Sequence, residues 1–281
     1  MFAGFNLLTE KDFKSSYDEG LQMYNSMKKS VASNIEKYVG LNGKIDGNKL
    51  QDDWFPTINA DVFISHSHLD EELAIGFSGW IYKNFGLNSF IDSCVWGYSD
   101  KLLKIIDDKY CFNSDSETYN YDLRNRTTSN VHMMLSSALY KMIDKSECII
   151  FLNTPNSVLN KSVNSTENII KDEILTESPW IYAEIMATNL IRKKNLSEYR
   201  KQGIFKRFEK FANESIDFDM VYILDMSLLT DINDSHLNEW EKYKSMNGNR
   251  LDYLYKIIRP NIVNESAEFY KEFIKYGSMN S

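Results

Sequence analysis

Residues 61–70 read Asp-Val-Phe-Ile-Ser-His-Ser-His-Leu-Asp, and this short stretch decides the fold. Val62, Phe63 and Ile64 are apolar, β-branched or aromatic, and too few for a helix, so they read as a buried strand. Small and polar residues follow, and then the period changes. Leu73, Phe77, Trp80 and Ile81 share one face of a helix over 70–85, which Gly86 ends. A strand, a polar turn and a helix in this order are the repeating unit of a parallel sheet wrapped by helices.

The same texture continues toward the carboxy terminus. Residues 87–91 read as a second strand, 92–100 as a loop and 102–106 as a short helical run. Residues 113–130 are polar and without period and read as an insertion loop, followed by a helix over 131–144. Residues 148–152 (CIIFL) form a continuous apolar strand of the central parallel kind. A second long polar connection covers 153–177, and Pro179 opens a helix at a favoured early position. A basic helical segment then leads to a fourth strand at 220–224 (MVYIL) and an amphipathic run over 236–258.

Toward the amino terminus, Tyr17, Leu21, Tyr24, Met27, Val31, Ile35 and Tyr38 recur at helical spacing before Gly40. Gly20 inside that stripe weakens the helix by about 1 kcal/mol. Residues 41–59, with Gly43, Gly47 and Pro56, read as a connector docked by Trp54 and Phe55. The expected organisation is an amino-terminal helical extension with its connector over 1–58, an α/β domain with insertion loops over 59–260, and a tail over 261–281.

Composition narrows the function. The 281 residues carry 32 basic and 40 acidic side chains, a net charge of -8, which argues against a broad grip on nucleic acid or an anionic membrane. The amino-terminal residues reach Glu10, Lys11 and Asp12 before an apolar segment could form, so no signal peptide is expected, and no apolar run is long enough for a membrane span. Cys94, Cys111 and Cys148 form no C-x-x-C pair and are odd in number, which disfavours a disulfide framework or zinc ribbon and fits a reducing cytoplasm.

Several residues could carry chemistry. Trp180 and Glu184 are four apart on a helix, which puts an aromatic platform beside a carboxylate; a packed Trp with a solvated Glu has the same spacing. His66, His68 and Asp70 are similar to the H-x-H-x-D-H metal motif of metallo-β-lactamase-fold hydrolases, but Glu71 stands where that motif needs His. No metal site is expected. Trp96 and Tyr98 flank Gly97 in a loop that either closes over a ligand, meets another subunit or simply anchors itself. The basic residues of 192–210 alternate with apolar ones and read as a solvated helix face. Neither G-x-G-x-x-G nor a P-loop is present, so a dinucleotide would be held by other means.

Three of these pieces together resemble a known family. DVFISHSHLD is similar to the first strand of TIR (Toll/interleukin-1 receptor) domains, D-x-F-I-S-x-x-x-x-D. Residues 92–100 resemble the loop after that family's second strand, and Ser178-Pro-Trp180 with Glu184 resembles its S-x-W-x-x-x-E helix. The resemblance spans about residues 60–225 and implies a flavodoxin-like fold with helices on both faces of a parallel sheet.

Enzymatic TIR domains cleave the nicotinamide–ribose bond of NAD, and bacterial ones make linear, cyclic or conjugated ADP-ribose signals in antiviral defence. The resemblance therefore implies NAD as substrate, no cofactor, Glu184 as the catalytic carboxylate, and Ser65, His66, Ser67, His68, Asp92, Trp96 and Trp180 around the substrate. It also implies a homo-oligomer and an effector protein reached through a nucleotide signal. Cleavage develops positive charge at the anomeric carbon, which an ionised carboxylate stabilises more in the transition state than in the ground state. A TIR module that assembles partners without catalysis is the alternative, and a metal-dependent hydrolase is a second.

Overall fold

The computed structural model describes residues 1–27, 36–39, 44–159, 174–191, 222–244 and 249–258. Its strands in chain order are β1 (Ala3–Leu8), β2 (Val62–Ser65), β3 (Ser89–Ile91), β4 (Phe112–Asn113), β5 (Thr118–Tyr119), β6 (Cys148–Leu152), β7 (Leu175–Thr176), β8 (Tyr222–Ile223) and β9 (Thr230–Asn233). Five of them make one parallel sheet in the order β3-β2-β6-β1-β9. The helices are α1 (Tyr17–Met27), α2 (Gly47–Trp54), α3 (Glu71–Phe85), α4 (Ser93–Tyr110), α5 (Tyr121–Lys145), α6 (Pro179–Leu190), α7 (Asp234–Glu241) and α8 (Arg250–Ile258).

Side chains alternate across the sheet and build two cores. Phe5, Leu7, Val62, Ile64, Ile150 and Leu152 face one, with residues of α1, α3, α7 and α8. Phe63, Phe90, Ile149 and Phe151 face the other, with residues of α2, α4, α5 and α6. The chain is thus an α/β protein with helices on both faces of a parallel sheet. No helix of the described residues is long and apolar enough to cross a membrane.

The amino terminus departs from the expected helical extension. Ala3–Leu8 is a central strand between β6 and β9, with Ala3 beside Cys148 and Asn6 beside Phe151. Ala3, Phe5 and Leu7 alternate into one core, while Gly4 and Asn6 occupy the other face, which thins the apolar signal of the strand. β1 takes the sheet position next to β6. The expected fourth strand is not in this sheet: Tyr222–Ile223 pairs antiparallel with Leu175–Thr176, while residues 220–221 lie outside the described ones.

Gly20, which counted against the first helix, is what joins it to the sheet layer. α1 crosses α3 so closely that a Cβ at Gly20 would stand 1.9 Å from the Ile75 carbonyl oxygen, and one at Gly79 would stand 1.9 Å from that of Ser16. Any side chain there would push the two backbones apart. The Val31 and Ile35 end of the expected stripe lies outside the described residues.

Two expected loops are helical. Asp92 is the N-cap of α4, its carboxylate accepting from the Ser93 amide, so residues 93–100 begin an 18-residue helix. Most of 113–130 belongs to the 25-residue α5, entered through the β4–β5 hairpin. At about 1.5 Å per residue α5 is roughly 37 Å long, about twice the length of β6, so its first turns overhang the sheet. Residues 121–130 bury nothing fully, which explains their polar, aperiodic composition. They are fixed to α4 through Asp107, which accepts from Arg124 Nε at 3.0 Å and Thr127 Oγ1 at 2.5 Å. The basic segment 192–210 and the tail 261–281 lie outside the described residues.

Candidate functional site

Parallel strands present their carboxyl ends at one edge of the sheet, where ligands of such sheets bind beside a change in strand direction of travel. Here that edge falls between β2 and β6. Ser65 ends β2, His66 follows it, Asp92 follows β3, and Glu184 descends from α6. All four side chains are 0 % exposed.

Local sequence explains why Glu184 points inward. Ser178 caps α6 by accepting from the Ile181 amide, and Pro179 fills the first turn, where its missing N–H is no loss. Ile181, Glu184, Ile185 and Thr188 then fall on one stripe at helical spacing, and all are buried. Glu184 therefore occupies a core position. Ser65 Oγ donates to its Oε2 at 2.6 Å.

The second half of the cluster is His66 Nδ1 with Asp92 Oδ1, 2.6 Å apart. Burial pushes the imidazole down to about 4, against the raising influence of Glu184, Glu71 and Asp70. Burial pushes the Asp92 carboxyl up to about 8, opposed by hydrogen bonds from Glu184 and the Ser93 amide. Glu184 rises well above the usual carboxylate range, first from burial and then from the neighbouring Asp92, with the Ser65 hydrogen bond acting the other way. Asp92 raises the proton affinity of Glu184, whereas Glu184 lowers that of Asp92.

A further layer surrounds them. Glu71, at the start of α3, accepts from Tyr24 Oη of α1 and from Ser93 Oγ at 3.3 Å. Asp70 accepts from Thr154 Oγ1 at 2.5 Å and Asn156 Nδ2 at 2.7 Å, tying the turn after β2 to the loop after β6. Tyr140 of α5 is raised by burial and by the Glu184 charge, and is partly exposed. Glu71, Tyr24 and Tyr140 had no motif to announce them, because their contacts bridge distant parts of the chain.

The structure places the other expected site residues as follows. Ser67 caps the turn His68–Asp70, accepting from the Leu69 amide, and His68 is exposed. His66 and His68 therefore point apart, and no group of three His, Cys, Asp or Glu side chains among the described residues could hold a metal ion. Trp180 is half-buried, its ring 5.9 Å from that of His132 of α5. Trp96 sits in α4, and its side chain and that of Tyr98 lie outside the described ones.

The arrangement offers a buried acid at the sheet mouth, steadied by a hydroxyl, with a second acid and an imidazole as proton partners. Strongly shifted carboxyls at the carboxyl edge of a parallel sheet make this cluster the candidate functional site. No protein-family model, no curated protein and no solved structure matches the chain.

Proposed function

We propose that the chain is a TIR-like enzyme of flavodoxin-like architecture that cleaves the nicotinamide–ribose bond of NAD, with Glu184 as its catalytic carboxylate. The observation that carries this reading is the Ser65–Glu184 hydrogen bond at the carboxyl edge of the sheet, since it joins the D-x-F-I-S strand to the S-x-W-x-x-x-E helix. The order β3-β2-β6 supports it, because it reproduces the reversal that makes a ligand crevice in doubly wound sheets. β1 then fills the fourth position from the opposite end of the chain.

Chemistry at this site requires Glu184 to ionise. The departing nicotinamide is neutral and needs no general acid, whereas the ribose left behind is cationic and gains from a carboxylate shielded from water. Ser65 favours that ionised form by donating to it. Asp92 and His66 hold the proton inventory beside it. Water, or another nucleophile kept in its place, captures the anomeric carbon and yields a linear, cyclic or conjugated ADP-ribose product. In the cell such a product serves as a signal to an effector protein in antiviral defence.

Incubating the full chain with NAD and resolving the products by mass spectrometry tests the reading: nicotinamide and an ADP-ribose derivative are expected, and intact NAD would refute it. Self-association through the segment 92–100 belongs to the same proposal and predicts specific activity that falls on dilution. The complete burial of Glu184 favours one rival, an interaction module in which this acid is a packed structural group. Under that rival the same incubation leaves NAD untouched.

A further inference from the structure

Asp70 stands at the N-cap of α3, where an aspartate ordinarily accepts from the amides of its own helix, yet its carboxylate makes no such bond. Both oxygens are turned across the sheet mouth instead. Oδ2 accepts from Thr154 Oγ1 at 2.5 Å and Oδ1 from Asn156 Nδ2 at 2.7 Å. In the same loop, Ser157 donates its hydroxyl to the Leu152 carbonyl at the end of β6, and its own carbonyl accepts from Thr176 Oγ1 at 2.8 Å. The Thr176 hydroxyl in turn accepts from the amide of Ser178, the N-cap of α6, at 3.2 Å. Glu184 lies in the second turn of that helix and returns to β2 by accepting from Ser65. Between Ser65 and Asp70 the chain is held by the Asp70 amide, which donates to the Ser67 carbonyl at 2.8 Å.

These contacts close a circuit around the sheet mouth, and Ser65, Asp70, Ser157, Thr176 and Glu184 in it are all buried. Polar links of this kind keep one geometry, because a broken one is not readily replaced by water. We propose that Asp70 is a positioning residue for Glu184: by clamping the turn after β2 to the loop after β6 it sets where α6 begins, and so holds the Glu184 carboxyl against Ser65. Asp70 acts through the loop and the α6 cap. The catalytic consequence rests on the NAD reading above, whereas the placement of α6 does not. A carboxylate displaced by about 1 Å from its working place forfeits up to about a hundredfold in rate. Cuts at Asp70 and at Ser65 open the same circuit, so their effects do not add. An amide at position 70 keeps both contacts, since its oxygen accepts from Asn156 and its nitrogen donates to the Thr154 hydroxyl.

Hydrogen exchange of the full chain and nicotinamide release from NAD together test this. In Asp70→Ala the amides of Ser178, Ile181 and Tyr182 should exchange at least about tenfold faster than in the wild type, while that of Gly86 at the far end of α3 keeps its rate. Its kcat should fall about tenfold to a hundredfold with KM within about twofold, and Asp70→Asn should restore kcat to within about threefold. In a Ser65→Ala background, Asp70→Ala should cost less than about twofold more. Unchanged exchange at 178–182, a wild-type kcat in Asp70→Ala, or equal kcat losses with and without Ser65 overturns the proposal. Should Asp70→Ala not fold, Thr154→Val cuts the same link from the loop side and is read in the same way. A wild type that releases no nicotinamide sinks the NAD reading alone, since the exchange rates still decide whether Asp70 holds the start of α6.

Discussion

One row of residues crosses the carboxyl edge of the sheet with Phe151 at its centre, and the two sides of that row have been resolved in opposite ways. On one side Phe151 neighbours Ser65, beyond which lies Asp92, the residue after the strand partner of Ile64. On the other it neighbours Asn6, which pairs with Asp231 of β9. Both sides are polar. Asn6 donates to Asp231 at 2.8 Å, and Asp231 is exposed, so water shares the solvation of that charge. Ser65 donates to a carboxyl that has no exposed surface. The two hydrogen bonds, 2.8 and 2.6 Å, thus serve an exposed carboxylate on one side and a fully buried carboxyl on the other. Burial, rather than residue type, makes the difference.

Removing each hydrogen-bond donor should expose that asymmetry. Ser65→Ala takes away the hydrogen bond that favours ionised Glu184, so nicotinamide release at neutral pH should fall by about tenfold to a hundredfold, the value of one hydrogen bond to a charged group. The acid limb of its pH–rate profile should also move upward. Asn6→Leu should change turnover by less than about twofold. Equal losses at both positions would erase the distinction between the two sides.

The pH dependence of stability sharpens the comparison. His66 moves down from 6.5 to about 4, so unfolding takes up a proton between those values and its contribution to stability rises with pH there. Asp92 moves up from 3.8 to about 8, so unfolding releases a proton in that window and stability falls as pH rises. The two oppose each other below 6.5; above it Asp92 acts alone in this pair, and Glu184, shifted the same way, adds to it. The melting temperature should therefore drop between about pH 6.5 and 8.5 by several degrees. Asp92→Asn should flatten the slope. A rising slope in the wild type would contradict the buried-acid assignment.

The smallest effect belongs to Asn6 itself. Its Oδ1 has no hydrogen-bond partner, and Asn6→Leu exchanges that cost for the lost bond to Asp231. Denaturant unfolding should show a change within about 1 kcal/mol. A much larger loss would make the Asn6 side as demanding as the other.

Much of this contrast was readable from particular residues. β2, α3 with its stop at Gly86, β6 and the Pro179 start of α6 lie where apolar period and punctuation put them. Glu184, Ser65, His66 and Asp92 stood in recognisable strand ends and a helix motif. β1 escaped because Gly4 and Asn6 interrupt its apolar alternation, and its central place depends on pairing with residues far along the chain. Gly20 was charged with a helix penalty, since close backbone approach is invisible until α3 is in place. Trp180 also packs its ring near His132 of α5, a contact that joins two helices far apart in the chain and that helical spacing alone does not show. The depth of Glu184 was the least legible feature, because a charged letter in a helix reads as solvated until its neighbours cover it.

Glu184→Gln is the measurement closest to the central claim. The amide keeps the size of the side chain and can still accept from Ser65, but it cannot carry the charge that offsets a cationic ribose. Nicotinamide release from NAD is followed for wild type and variant at matched concentration, with circular dichroism to verify the fold. The account predicts an unchanged spectrum and release lowered by at least about a hundredfold. A folded variant that releases nicotinamide at the wild-type rate would contradict it, leaving Glu184 a packed acid with no part in the chemistry.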